Sequence, residues 1–376
     1  MKISYWCPFL TNIATINSVL RSAKSLANLK NTKKDFKVSI LNSCGEWDFI
    51  KKDYSKLKVE KLYPFSFYKY LPKEGFFQSR FSFLLILITN FFPLIENIRR
   101  NRPKYLIVHL LTILPIILSP ILSKNTRIIL RISGLPELTF FRKFVWKFFA
   151  KFIFKVTAPT TTTLELIKKS KIFPDEKVLL LRDPVIDNKE ILRKKNIKVP
   201  SKFNKKKFFV SIGRLTQQKN FPFLIKMFVK YKKEIDADYL VILGEGEDRS
   251  KLRKIISDLN CSDIVFLLGF KNNVFNFINK SKALISTAEY EDPGFSLIEA
   301  AFLKKKIITS LVKNGPIEMK KNGNFCYFYN FNDSKSFLRA LKKSKLYDKK
   351  KIKQAFNFAS KFHISLHLNN LRKILI

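Results

Sequence analysis

Short, near-continuous apolar runs recur along the chain, and the stretches between them carry apolar residues three or four positions apart. The run KISYWCP at 2–8 stops at Pro8 and predicts a strand. Residues 13–29 follow with Ile13, Ile16, Val19, Leu20, Ala23, Leu26 and Ala27 at helical spacing. FKVSILN at 36–42, KYLIVHL at 104–110 and TRIILRI at 126–132 predict further strands, apolar enough for burial on both faces of a parallel sheet. FRKFVWKFFAKFIF at 141–154 predicts a helix. A second series begins at KFFVSIG, 207–213, and continues through YLVILG at 239–244, IVFLLG at 264–269, ALIST at 283–287 and KIITS at 306–310. Helical segments at 220–233, 247–260, 273–279 and 296–304 separate these runs.

Strand–helix alternation means βαβ units, because parallel strands need a long crossover. Between the two series the texture changes. Asp183-Pro184-Val185-Ile186-Asp187 is turn-like, and the charged stretch 187–206 lacks periodicity. The expected organisation is therefore a first domain at 1–186, a linker at 187–206 and a second domain at 207–355. A helical tail at 356–376 is expected to pack back on the first domain. Two doubly wound domains of this kind face one another across a cleft, and ligands bind beyond the carboxyl ends of their strands. The Lys-rich stretch from Lys342 to Lys353 reads as a solvated helix face.

Composition adds a physical property. The 376 residues hold 72 Lys and Arg against 29 Asp and Glu, a formal charge of +43, with 46% hydrophobic and 14% aromatic residues. A disordered chain would lack the apolar residues. The charge implies attraction to polyanions: nucleic acid, an anionic membrane face or phosphate-bearing substrates. Compositional bias of an A+T-rich genome explains the same excess, and the two accounts stay open. Nucleic-acid binding has charge alone in its favour, because the Lys are dispersed and no zinc-finger, RNA-recognition or helix-turn-helix signature is present.

Cys7, Cys44, Cys261 and Cys326 have no metal-binding spacing and read as buried free thiols. His363 and His367 are four apart without a metalloprotease context. Met1-Lys2 leads into the first strand with no secretory h-region. Residues 81–95 are too short for a comfortable membrane span, and 105–122 read as a buried strand followed by a helix. The first of these stretches suits shallow insertion into a bilayer surface.

Two segments carry candidate chemistry. In EDPGFSLIEAA, Glu291 to Ala301, Pro293 and Gly294 precede a helical run. The amides from about Gly294 to Leu297 then lack intrahelical partners and, with the helix dipole, suit a diphosphate. Glu299, about one turn in, suits a ribose hydroxyl, and Glu291 suits hydroxyls beyond the phosphates. In SIGRLTQQKN, Ser211 to Asn220, a strand ends and Arg214 and Lys219 follow on a loop. Two cations there suit the charge that develops on a departing diphosphate.

GRLTQQKN together with the E-x7-E element resembles the retaining glycosyltransferases of the GT-B fold, family 4, also called glycosyl transferases group 1. LGEGEDRSKLRKII (243–256), FLLGF (266–270) and NGPIEMKKNG (314–323) are similar to that family's donor domain. PFLTNIATINSVLRSAKSL (8–26), HLLTILPIIL (109–118), LRISGLP (130–136) and LRDPVID (181–187) resemble its polysaccharide or lipopolysaccharide branch. The resemblance implies an α/β, GT-B enzyme with two Rossmann-like domains. It would move a sugar from a nucleotide diphosphate donor to a glycan or lipid-linked acceptor at the cytoplasmic face of the membrane.

The resemblance also implies roles. Arg214 and Lys219 hold the donor phosphates, Glu299 the ribose and Glu291 the sugar hydroxyls. The amides of Gly294, Phe295 and Ser296 flank sugar and phosphate, and Phe270 lies near the base. His109 takes the position of a sugar-facing histidine, beside the plainer reading of a core residue. No Asp-x-Asp pair appears where a metal would be expected, so neither metal nor cofactor is expected. Pro8 to Thr15 contains no glycine, a departure that leaves the acceptor side open. A sugar-nucleotide epimerase or phosphorylase on the same fold is the alternative.

Overall fold

The computed structural model describes all residues except 12, 13, 30–35, 50–56, 74, 135–137, 347 and 376. The helix start at Ile13 and the Leu135-Pro136 end of the LRISGLP stretch lie outside the described residues. The chain forms two compact units, Met1–Pro184 with Ile364–Ile376, and Val185–His363.

The first unit is built on seven parallel strands: β1 Lys2–Trp6, β2 Lys37–Asn42, β3 Lys58–Lys61, β4 Tyr105–Val108, β5 Arg127–Arg131, β6 Lys155–Ala158 and β7 Val178–Leu180. Their order is β3-β2-β1-β4-β5-β6-β7. The helices are α1 Ala14–Ala27, α2 Phe76–Thr89, α3 Phe91–Asn101, α4 Ile113–Ile117, α5 Ser119–Leu122, α6 Phe140–Phe149 and α7 Thr161–Lys169. Strand alternation sends Ile3, Tyr5, Tyr105 and Ile107 into a core under α1. Trp6, Leu106, Val108 and Leu130 enter a second core under α3 to α7.

The second unit opens with α8 Asn188–Lys194 and α9 Ser201–Asn204. Six parallel strands follow: β8 Phe208–Ile212, β9 Tyr239–Leu243, β10 Val265–Leu267, β11 Ala283–Ser286, β12 Lys306–Ser310 and β13 Tyr327–Tyr329. They are ordered β10-β9-β8-β11-β12-β13. The helices are α10 Phe221–Lys230, α11 Arg249–Asp258, α12 Phe275–Lys280, α13 Phe295–Phe302, α14 Gly315–Lys321, α15 Ser334–Ser344 and α16 Lys349–Ser360. A last helix, α17 Ile364–Ile374, belongs to the first unit. There its Leu371 and Ile374, with Leu375 beyond it, join the core beneath α1.

Three expectations change. Residues 187–206 are not a linker. The Asp187 side chain accepts from the Glu190 amide at 3.2 Å and starts α8, and Ile191, Val199 and Phe203 enter the second unit's core. Charged residues on the solvent side hid three inward apolar positions. Residues 356–363 likewise stay with the second unit, where Phe358, Ala359 and Phe362 are buried, and only Ile364–Ile376 returns to the first. The Lys-rich stretch 342–353 is broken, because α15 ends at Ser344 and Asp348 caps α16 through the Lys351 amide at 2.9 Å.

Candidate functional site

In the second sheet the strand order reverses between β8 and β11, so the crevice at their carboxyl ends is the expected ligand position. Both candidate segments leave the sheet at that point. The Ser211 hydroxyl donates to the Ile285 carbonyl at 2.6 Å and ties the two strand ends together. Beyond β8 the chain makes a short turn at Gln217–Lys219, and Asn220 takes φ +50° before Phe221 starts α10.

Backbone and side-chain bonds fasten this turn to the segment after β11. Thr287 Oγ1 donates to the carbonyls of Lys219 at 2.9 Å and Asn220 at 3.0 Å. The Glu289 amide donates to the Gln218 carbonyl at 2.9 Å, and Gln218 Nε2 donates to the Tyr290 carbonyl at 2.8 Å. These bonds set Lys219 Nζ at 2.6 Å from Glu291 Oε1, with side-chain exposures of 18% and 8%. The two residues expected to act on phosphate and on sugar are thus ion-paired with each other.

Glu291 is held from a second side. Its carbonyl accepts from the Gly315 amide at 2.9 Å. Residue 315 has to be glycine, since a Cβ there would stand 2.2 Å from the Pro293 carbonyl oxygen. Asn314 Nδ2 donates to the Tyr290 hydroxyl at 3.1 Å. Burial first, and then Asp292, push that hydroxyl's pKa up and keep it protonated. This clamp was not foreseen. The Asn-Gly-Pro triplet at 314–316 is its sequence trace, a turn signal with no hint of its partner.

Gly294 takes φ +84° ahead of α13, a left-handed turn that favours glycine. The first intrahelical bond runs from the Ile298 amide to the Gly294 carbonyl at 3.1 Å. The Phe295, Ser296 and Leu297 amides therefore have no acceptor within the helix and present its positive end. Glu299 lies one turn in and is half-buried. Arg214 is exposed on the loop that carries Lys219. Phe270 lies beyond β10, two strands from β8, and is 52% exposed, open to a planar ligand. The structure thus gathers Arg214, Lys219, Glu291, Glu299 and residues 294–296 at one edge of the second unit, with Phe270 farther along the sheet.

His109 lies in the first unit, directly after β4 and beside β1, the strands between which that sheet's order reverses. Its amide donates to the Trp6 carbonyl at 2.9 Å, and its ring lies against Tyr5 with centroids 6.0 Å apart. Burial, followed by the charge of Arg131, pushes its pKa down to about 3. The imidazole is neutral at ordinary pH, and its buried Nδ1 has no hydrogen-bond partner. Arg131 itself is buried and donates to Asp183 at 2.8 Å, with the Ser18 hydroxyl donating to the same oxygen at 2.7 Å.

Two Rossmann-like parallel sheets of this order define the GT-B glycosyltransferase architecture. The Anabaena protein HepE, solved in complex with UDP, superposes with a TM-score of 0.71 over 100% of this chain and 99% of its own, at 12% identity. Residues 193–359 match the family model described as glycosyl transferases group 1. An uncharacterised glycosyltransferase of Methanocaldococcus jannaschii is 28% identical over 254 residues, 61% of this chain and 60% of the relative. An N-acetylgalactosamine-N,N'-diacetylbacillosaminyl-diphospho-undecaprenol 4-alpha-N-acetylgalactosaminyltransferase of Campylobacter jejuni is 32% identical over 140 residues, 37% of each chain. The aligned part thus covers less than two thirds of either relative.

Proposed function

We propose that this chain transfers a sugar, with retention at the anomeric carbon, from a nucleotide diphosphate donor to a glycan or lipid-linked acceptor in cell-surface polysaccharide synthesis. The observation that carries the reading is the Lys219–Glu291 contact beside the open end of α13, at the switch point of the second sheet. The diphosphate takes the helix amides of residues 295–297, with Arg214 and Lys219 as its counter-charges. Lys219 then exchanges Glu291 for phosphate, which turns the Glu291 carboxylate to the sugar hydroxyls. Glu299 accepts from the ribose, and Phe270 lies along the base. The Nδ1 of neutral His109 is left for a sugar hydroxyl.

As the bond to the leaving diphosphate breaks, fixed cations and amides stabilise the growing charge, and no metal is needed for that purpose. UDP in HepE and the diphospho-undecaprenol in the Campylobacter relative's name support a uridine donor and a lipid-linked acceptor. A lipid acceptor favours a peripheral position on the cytoplasmic membrane face, and the positive charge favours the same. A panel of sugar nucleotides, screened by thermal shift and then used as labelled donors, tests the reading, since a ligand that binds only the native state raises its melting temperature. The expected result is donor-dependent stabilisation and a glycosylated product that persists in EDTA. An epimerised or phosphorolysed product, or activity restored only by Mg²⁺ or Mn²⁺, overturns it.

A further inference from the structure

The two faces of the first sheet are covered differently. On one, α1 and α17 pack with their apolar sides inward. On the other, α3, α4, α5 and α6 cover the sheet, and α2 adjoins them through α3. More than half of the large apolar side chains exposed by the described residues lie on the outside of this second layer.

They form stripes at helical spacing. On α2, Phe77, Phe81, Leu84 and Ile88 fall four, three and four residues apart, with Phe77 82% exposed, while Ile86 points inward. On α6, Phe140, Phe141, Phe144 and Phe148 fall one, three and four residues apart, with Phe140 89% exposed, while Val145 and Trp146 enter the core. Phe92, Ile117 and Ile121 are exposed on the helices that complete the layer. Monomeric proteins rarely leave so much apolar surface in one place without a partner for it.

The cations set the identity of that partner. Arg80 on α2, Arg99 and Arg100 on α3, and Lys143, Lys147 and Lys151 along α6 and just after it are exposed among the rings. Neither α2 nor α6 contains an acidic residue. A twofold contact with a second copy would set these cations against their own equivalents. An anionic leaflet instead satisfies rings and cations together.

Among the described residues no single helix is long and apolar enough to cross a membrane, and the α2–α3 pair is bent by 48°. Because Leu94, Ile95 and Ile98 of α3 are committed to the sheet core, the layer can only lie along a surface.

We propose that the outer side of the α2 to α6 layer is a two-ridged docking surface for an anionic bilayer, with α6 as a second anchor beside α2. This deepens the membrane position proposed above by assigning the face. The first turn of α6 follows the carboxyl end of β5, and His109 follows that of β4, so docking sets the sheet edge that carries His109 at the headgroups. A lipid-borne acceptor would enter there.

The test uses the full chain and vesicles of phosphatidylcholine with or without an equal share of phosphatidylglycerol, sedimented across a salt series. Phe77→Ser/Phe81→Ser, Phe144→Ser/Phe148→Ser and Lys143→Gln/Lys147→Gln/Lys151→Gln are compared with the unaltered chain. Stabilisation by UDP serves as the control, since every change lies outside the second unit. Salt-sensitive binding to anionic vesicles is expected. Each aromatic pair should weaken it by about tenfold or more, because the rings forfeit apolar burial. The lysine variant should lose the preference for anionic lipid, with the response to UDP kept throughout. Binding within twofold of the unaltered chain in both aromatic variants overturns the assignment of the face. A chain that ignores vesicles but dimerises through these helices overturns it in favour of a second copy. Loss of the UDP response in the unaltered chain bears on the proposed function alone.

Discussion

Each unit carries an ion pair near the carboxyl ends of its strands, and the two pairs differ in what surrounds them. Arg131 and Asp183 are 1% and 3% exposed, with the Ser18 hydroxyl donating to Asp183 and Thr157 Oγ1 accepting from Arg131. Burial alone would raise the Asp183 pKa, but the Arg131 charge and the Ser18 hydroxyl outweigh it and hold the carboxyl below its usual range. Lys219 and Glu291, at 18% and 8%, sit on the loops that follow β8 and β11 and are less completely shielded. A pair whose desolvation is complete can only be broken at a cost to the fold. A pair still reached by water can trade partners. The first is framework, and the second is the pair that the proposed function asks to exchange partners.

That contrast can be broken in order of expected effect. Arg131→Met leaves the Asp183 carboxylate buried without its cation and should cost about 3–5 kcal/mol of stability, read from denaturant unfolding. Lys219→Ala should leave the melting temperature nearly unchanged yet lower turnover by about 10²–10³-fold, the usual loss when one charge-stabilising group is removed. If both variants lose stability alike, the distinction between the pairs fails. Glu299→Gln sharpens the comparison within the second unit. Nucleotide affinity should fall by about 1.5–3 kcal/mol in a titration, the worth of a hydrogen bond to a charged group, and a change within twofold would refute the ribose role.

The smallest effect concerns His367. Its Nδ1 donates to the Arg182 carbonyl at 2.7 Å, so its Nε2 accepts from the Ser22 hydroxyl at 2.8 Å, and the ring is neutral. Burial first, then Arg131, push its pKa from 6.5 down to about 4. The unfolded chain takes up the proton first as pH falls, so the stabilisation is complete above 6.5 and is lost toward 4. Hydrogen exchange of α17 should accelerate through that window, and a flat profile would exclude the mechanism.

The strands and the candidate loops were legible in the sequence because each is a local signal. β1, β2, β4, β5 and β8 are apolar runs, and the Pro-Gly entry to α13 is spelled out by Pro293 and Gly294. What stayed hidden depends on distant residues. Lys219 and Glu291 meet across 72 positions, and His109 owes its lowered pKa first to its burial in the folded unit and then to Arg131 from β5. The strand β3, KVEK, is a half-polar edge strand with no apolar run to mark it. In α6 the helix was legible but its outward face was not, and four of its six rings are exposed.

The first unit is discontinuous in the chain. The core beneath α1 is completed by Leu371, Ile374 and Leu375, and the Leu375 carbonyl accepts from the buried Tyr105 hydroxyl at 2.7 Å. A ribosome adding about 5–20 residues per second needs roughly 10–40 s to travel from Pro184 to Ile364. Throughout that interval the nascent first unit has an open apolar groove where α17 will lie, and the second unit can close before the first does. The order of maturation is thereby inverted relative to the order of synthesis, and chaperone demand should concentrate on the half of the protein that is made first.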